Sequence, residues 1–117
     1  MAAFEAICLQ VEDVLAAAET VTGNKVPTAN LDGGPTSNSW LMQQAADLTQ
    51  REVSVSAIAE LSAVGVAIFA ARAAGLASDF ELPANTQYQP KVSAEAAGAR
   101  KKLWDAAVKR ARYNPTN

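Results

Sequence analysis

The chain has 117 residues, of which 50% are hydrophobic and 19% are charged, so it can bury one core of ordinary size. A single packed unit is therefore expected. The formal net charge of -2 disfavours general binding to nucleic-acid backbones. Histidine is absent, so the commonest general base and the commonest metal ligand are both missing from this sequence.

The first predicted element is a helix from Phe4 to Val21, because its larger apolar residues recur at helical spacing. Gly23 ends it. Cys8 lies among apolar neighbours in this helix, and we expect it to be buried. It is the single cysteine, so no internal disulfide can form, which suits a reducing cytoplasm. The apolar stripe begins by the fourth residue with no capping side chain before it, as in a helix taken from a longer chain.

An extended segment from Lys25 to Leu31 comes next, and Pro27 within it favours an edge strand or a strand that begins after it. A glycine turn follows at residues 32–35. A second helix is then predicted, capped by Ser37, Asn38 or Ser39 and ending near Gln50. Its helical spacing is carried by Trp40, Leu41, Gln44, Ala45 and Leu48.

Residues 51–56 alternate with the period of a strand, and a third helix is predicted from Ala59 to Gly75. The small residues of this helix would let it lie close on a sheet, so the order of elements predicts an α/β layer. Arg72 interrupts the apolar run well short of the roughly 20 residues that a membrane span needs. The amino terminus lacks the basic start and cleavage site of a signal peptide. A cytoplasmic protein with no membrane partner is therefore expected.

The remaining sequence predicts a loop from Leu76 to Lys91, which contains Pro83 and Pro90, and a last helix capped by Ser93. Basic residues crowd the second half of that helix, where the helix dipole favours each exposed positive charge by about 0.3 to 1 kcal/mol. A solvated face is favoured over contact with an acidic partner, and nucleic acid is not expected as a partner. The basic residues are Arg100, Lys101, Lys102, Lys109, Arg110 and Arg112.

The octet Leu31-Asp32-Gly33-Gly34-Pro35-Thr36-Ser37-Asn38 ends the extended segment and opens the second helix. Free backbone N–H groups and the positive end of a helix dipole can meet a ligand at such a place. Gly33 and Gly34 allow close approach, and Asn38 offers the donor and the acceptor that an adenine edge requires. An ordinary tight turn with polar caps explains the same residues, so the octet alone leaves both interpretations open.

Residues 31–76 resemble the adenosine-side segment of the FGGY family of carbohydrate kinases, residues 4–23 resemble the helix before it, and residues 88–113 are similar to the closing loop and helix. The resemblance implies an α/β fold over residues 1–117, a fragment of the C-terminal, nucleotide-binding, RNase H-like lobe of the actin-like ATPase fold. It implies that Gly34 lies against the ribose and phosphates and that Asn38 contacts adenine, with Asp32 and Gly33 as turn residues.

The same resemblance places the family's sugar-binding residues, catalytic aspartate and first phosphate loop in regions outside this chain. It assigns no catalytic and no metal-binding residue here. A full-length parent would use ATP and Mg²⁺ to phosphorylate a sugar or polyol hydroxyl, and the chain alone is expected to be inactive. The expected partners are the missing N-terminal lobe of the same kinase, ATP, a sugar or polyol bound elsewhere, and a second copy in a homo-oligomer.

Two other interpretations stay open. The chain could be a non-catalytic helical interaction or assembly module in which the glycine turn is purely structural. It could also be a degenerate relative that keeps the lobe for assembly or regulation. The scattered carboxylates are expected to serve capping or solubility in any of these; they are Asp32, Asp47, Glu60, Asp79 and Glu81.

Overall fold

The computed structural model describes residues 2–76 and 81–113. The described residues form four α-helices and a small mixed sheet, so the predicted α/β fold is confirmed. In chain order the elements are α1 Ala2–Thr22, β1 Thr28–Leu31, a short 3-10 helix Gly34–Ser37, α2 Ser39–Thr49, β2 Glu52–Val55, α3 Leu61–Ala73, β3 Thr86–Tyr88 and α4 Ala94–Arg112.

The sheet has the order β1-β2-β3. β1 and β2 are parallel, with Leu31 opposite Val55, and α2 supplies the crossover that a parallel pair requires. β2 and β3 are antiparallel, with Val53 opposite Tyr88. β3 corrects the prediction of a continuous loop over residues 76–91. Three residues are too few to show the period of a strand, and β3 forms by pairing with a strand far earlier in the chain.

The core lies where α1 and α2 pack against one face of the sheet. α2 contributes its apolar side, α1 contributes Cys8 and Leu9, and the sheet contributes Ala29, Val53 and Val55. Cys8 is 2% exposed, as predicted, and burial raises the pKa of its thiol. The buried apolar residues of α2 are Leu41, Met42, Ala45, Ala46 and Leu48.

A charged cluster joins α1 to the start of β2. Arg51 donates from Nε and Nη2 to Glu12 at 2.8 and 3.1 Å, and from Nη1 to Glu19 and to the Val26 carbonyl, both at 2.5 Å. The three charged side chains are 11 to 17% exposed. The Arg51 guanidinium, and after it the Val26 N–H, lower the pKa of Glu19 to about 2. This cluster fixes the long first helix on the sheet.

α4 packs across α1 and is capped by Ser93, as predicted, whose Oγ accepts from the Ala96 N–H at 3.2 Å. The Trp104 indole N–H donates to Asp13 at 2.7 Å and lowers the pKa of that carboxyl. Lys101 pairs with the same carboxylate at 2.9 Å. The prediction of a solvated basic face is therefore incomplete, because Lys101 of that face pairs with α1.

α3 buries none of its residues, so the prediction that its small face lies close on the sheet is wrong for this chain. The apolar face of the sheet already packs on α1 and α2. The opposite face presents Asn30, Ser54 and Gln87 at paired positions, which offer an apolar helix no matching surface.

Candidate functional site

The turn between β1 and α2 is held by hydrogen bonds within itself. Thr36 donates from its backbone N–H at 3.1 Å and from its hydroxyl at 2.7 Å to the Gly33 carbonyl. The Ser37 hydroxyl donates to the Gly34 carbonyl at 2.9 Å. Because α2 is anchored in the core, these bonds give the turn a defined position as well as a defined shape.

The two glycines of this turn differ in what the fold requires of them. Gly33 has φ 95° and ψ 176°, a backbone conformation that L side chains rarely adopt. Gly34 has no positive φ, and a Cβ built on it would meet no atom of the chain within 4 Å. Neither backbone conformation nor packing within the described residues therefore requires glycine at position 34, and its surface is open to an external group.

Asn38 is the N-cap of α2. Its side-chain oxygen accepts from the Leu41 N–H at 3.1 Å, so the structure selects this residue from the three predicted caps. Its side-chain nitrogen has no hydrogen-bond partner among the described residues, and the residue is exposed. Asn38 therefore fixes the start of α2 with one end of its amide and presents a donor with the other.

A cleft of about 210 Å³ opens beside the turn, at the carboxyl ends of β1 and β2. In open α/β sheets ligands bind outside the carboxyl ends of the strands. Asp32 and Ser56 line it from the two strand ends, and Asn85 lines it next to Ser54, whose hydroxyl accepts from the Asn85 side chain at 3.0 Å. These serines and Asn85 were not predicted from the sequence. The alternation of polar residues at 52, 54 and 56 was the available signal for the serines.

The structure brings Gly33, Gly34 and Asn38 together in one turn and leaves Asp32 exposed at its start. Asp47 is not a solubilising residue, since it is 6% exposed and accepts from the Lys91 N–H at 2.6 Å. Asp79 lies outside the described residues.

Within residues 2–76 and 81–113, no group of three or more His, Cys, Asp or Glu is arranged to hold a metal ion. None of the described helices combines the length and the apolar character needed to cross a membrane.

Residues 1–74 match the C-terminal domain of the FGGY family of carbohydrate kinases. The chain belongs to this family. The resemblance inferred from the glycine turn and the flanking helices is thereby confirmed.

Among curated relatives, an apulose kinase of Pectobacterium atrosepticum is 38% identical over 119 residues, covering 97% of this chain and 24% of its own length. A glycerol kinase of Clostridium perfringens is 34% identical over 116 residues, covering 95% of this chain and 23% of its own length. The chain thus spans about a quarter of the length of these FGGY kinases.

Among solved structures, the crystal structure of Plasmodium falciparum glycerol kinase with ADP superposes with a TM-score of 0.78. The match covers 95% of this chain and 23% of that chain, at 19% sequence identity. An identity this low shows the shared fold, and the fold agrees with a fragment of an actin-like ATPase lobe.

Proposed function

We propose that this chain is the adenosine-side part of an ATP-dependent carbohydrate kinase that transfers the γ-phosphate of ATP to a sugar or polyol hydroxyl. The observation that carries the proposal is the open surface of Gly34, a glycine that neither its own φ nor its neighbours require. Close approach of the protein backbone to a ligand is a physical reason for a missing side chain there. The curated relatives are kinases by name, and the structural relative was solved with ADP.

The geometry of the turn suits a nucleotide. Asn38 can donate from its free amide nitrogen to a ring nitrogen of adenine while its oxygen keeps the helix cap. Gly34 then lies against the ribose and phosphates. Asn38 takes the N–H of Leu41, and the N–H groups of Ser39 and Trp40 before it have no intrahelical partner. Together with the helix dipole they favour a negatively charged ligand.

The rest of the reaction is assigned outside this chain. When bound, Mg²⁺ would neutralise charge on the ATP phosphates, and its ligands, the sugar contacts and the catalytic aspartate would belong to the remaining three quarters of the kinase. The residues described here bind and orient the nucleotide. A cytoplasmic location is part of the same proposal.

The test uses a chimaera in which this chain replaces the matching last quarter of the Pectobacterium apulose kinase. Asn38→Ser keeps an acceptor for the Leu41 N–H but removes the amide donor, whereas Asn38→Ala removes both. Loss of one hydrogen bond costs about 0.5 to 1.5 kcal/mol, so the KM for ATP should rise by up to about tenfold in both variants. The KM for the sugar should stay unchanged.

Thermal unfolding distinguishes loss of the helix cap from loss of the nucleotide contact. Asn38→Ser should unfold near the temperature of the unsubstituted chimaera, and Asn38→Ala should be less stable by about 0.5 to 2 kcal/mol. If both variants keep their KM for ATP within twofold while the chimaera remains active, the turn is purely structural. The alternative of a non-catalytic interaction or assembly module would then be preferred.

A further inference from the structure

The peptide unit between Gly33 and Gly34 is held by a single residue. Its carbonyl oxygen, which belongs to Gly33, accepts two hydrogen bonds from Thr36, one from the backbone N–H at 3.1 Å and one from the hydroxyl at 2.7 Å. Thr36 itself is half-buried. Two donors on one carbonyl oxygen fix the direction in which that oxygen points.

The N–H of the same peptide unit points the other way. None of the described peptide bonds is cis, and the C=O and N–H of a planar trans peptide lie on opposite sides. Because the carbonyl points into the turn, the N–H of Gly34 points out of it. This N–H has no acceptor among the described residues, and Gly34 is exposed. Thr36 therefore sets the direction of a free hydrogen-bond donor.

A peptide between two glycines needs such a restraint. Rotating it by about 180° changes ψ of the first glycine and φ of the second, and glycine tolerates both new values. In the observed orientation Gly34 has no positive φ, whereas the rotated peptide would give it one. A residue with a Cβ resists that change, but glycine does not. The same lack of side chains that opens the turn to a ligand thus leaves the peptide free to rotate its N–H inwards.

We propose that Thr36 is a positioning residue for nucleotide binding, whose hydroxyl holds the peptide so that the Gly34 N–H donates to an oxygen of the ribose or phosphates. The inference rests on the proposed function of the turn. Thr36 acts through the Gly33 carbonyl and not by touching the nucleotide. When the peptide can rotate, only the fraction of molecules with this N–H outwards is competent, and the apparent affinity for ATP falls by that fraction.

Ser37 provides a matched control, because its hydroxyl makes the same kind of bond to the next peptide unit. It donates to the Gly34 carbonyl at 2.9 Å. That peptide unit continues into Pro35, whose nitrogen carries no hydrogen. Loss of the Ser37 hydroxyl therefore removes one hydrogen bond from the turn but misdirects no donor.

The test measures kcat and the KM for ATP in the chimaera with apulose kinase. Thr36→Val keeps the shape and the backbone N–H of the residue but removes the hydroxyl. We expect the KM for ATP to rise about two- to tenfold, as for the loss of one hydrogen bond, while kcat at saturating ATP and the KM for the sugar stay unchanged. Thr36→Ser restores the hydroxyl and should restore the KM for ATP, and Ser37→Ala should leave it unchanged.

A merely structural role gives a different pattern. Thr36→Val and Ser37→Ala each lose one hydrogen bond of the turn, so urea unfolding should show similar losses of stability. A KM for ATP that rises equally in both would overturn the inference, and so would an unchanged KM in Thr36→Val when Asn38→Ser raises it. An unchanged KM in Asn38→Ser and Thr36→Val alike would overturn the proposed function and this inference with it.

Competition by ADP and by adenosine identifies the accepting oxygen. If it belongs to a phosphate, Thr36→Val weakens inhibition by ADP and leaves inhibition by adenosine unchanged. If it belongs to the ribose, both competitors bind more weakly. Thr36→Val that weakens neither competitor would contradict the positioning role.

Amide NMR of the isolated chain tests the restraint without catalysis. In the ¹⁵N-labelled protein, we expect the Gly34 resonance to be broadened by exchange in Thr36→Val, and to stay sharp in the unsubstituted chain and in Ser37→Ala. A sharp, unshifted Gly34 resonance in Thr36→Val would show that the backbone N–H of Thr36 alone fixes the peptide. The hydroxyl would then have no positioning role.

Discussion

At the residue scale, the adjacent glycines of the turn are predicted to respond differently to substitution. Gly33→Ala places an L residue at φ 95°, which should destabilise the protein by about 1 to 3 kcal/mol. Gly34→Ala meets no atom within 4 Å, so the free energy of unfolding should change by less than about 0.5 kcal/mol. In the chimaera, Gly34→Ala should nevertheless raise the KM for ATP.

Urea unfolding and steady-state kinetics of both glycine variants check this prediction. An unchanged KM for ATP in Gly34→Ala, or a stable Gly33→Ala, would contradict the separate roles assigned to the two residues. Gly98→Ala on α4 is the control for the KM measurement, because it also adds a methyl group in open space but lies far along the chain from the turn. It is not a control for stability, because alanine within a helix is more favourable than glycine by about 0.8 to 1 kcal/mol.

Also at the residue scale, the Arg51 cluster predicts how stability depends on pH. The pKa of Glu19 is about 2 in the folded chain and near the ordinary 4.5 when unfolded, because Arg51 and the Val26 N–H bind its ionised form. Its contribution to stability is therefore complete above about pH 5 and is lost as the pH falls from there towards 2.

Glu19→Gln removes this contribution, so the difference in unfolding free energy from the unsubstituted chain should be larger at pH 7 than at pH 3. Urea titrations at the two values measure it. Glu81→Gln, on an exposed loop residue, should show no such change. A difference for Glu19→Gln that is equal at both values would mean that the ionised form is not selectively stabilised.

At the scale of the elements, Asp47 ties α2 to the segment that leads into α4. Its Oδ1 accepts from the Lys91 N–H at 2.6 Å and from the Gln43 side chain at 3.0 Å. Asp47→Ala leaves these donors unpaired in a buried place and should cost about 1 to 3 kcal/mol. Asp47→Asn keeps an acceptor oxygen and should cost less, and chemical denaturation of the two variants would show the difference. Equal losses would indicate that the negative charge, rather than the acceptor, matters at this position.

At the scale of the whole molecule, phosphoryl transfer in this family is proposed to need residues beyond the chain, which spans about a quarter of its relatives. We therefore expect the purified chain to phosphorylate no sugar or polyol with ATP. A coupled assay of ADP release over a panel of sugars and polyols measures this, with the chimaera as the active control. Turnover by the chain alone, well above the uncatalysed rate, would contradict the assignment of the catalytic groups to the remainder of the kinase.

The sequence by itself determined most of the local elements and the position of the glycine turn. Helical spacing located α1 and α2, and Ser93 predicted the start of α4. The cap of α2 was narrowed to Ser37, Asn38 or Ser39, because capping depends only on residues three positions away. The family resemblance could also be found in the sequence alone, because the glycine turn and the flanking helices are contiguous segments.

Only the tertiary structure decided which strands pair and which surfaces of the helices are buried. β3 exists because Thr86–Tyr88 pairs with β2, a contact between distant parts of the chain that no local period records. Glycine is required at position 33 by its backbone φ of 95°, whereas at position 34 a Cβ would meet no atom within 4 Å. The small residues of α3 predicted that it lies close on the sheet, and among the described residues it does not, because the apolar face of the sheet is already occupied by α1 and α2.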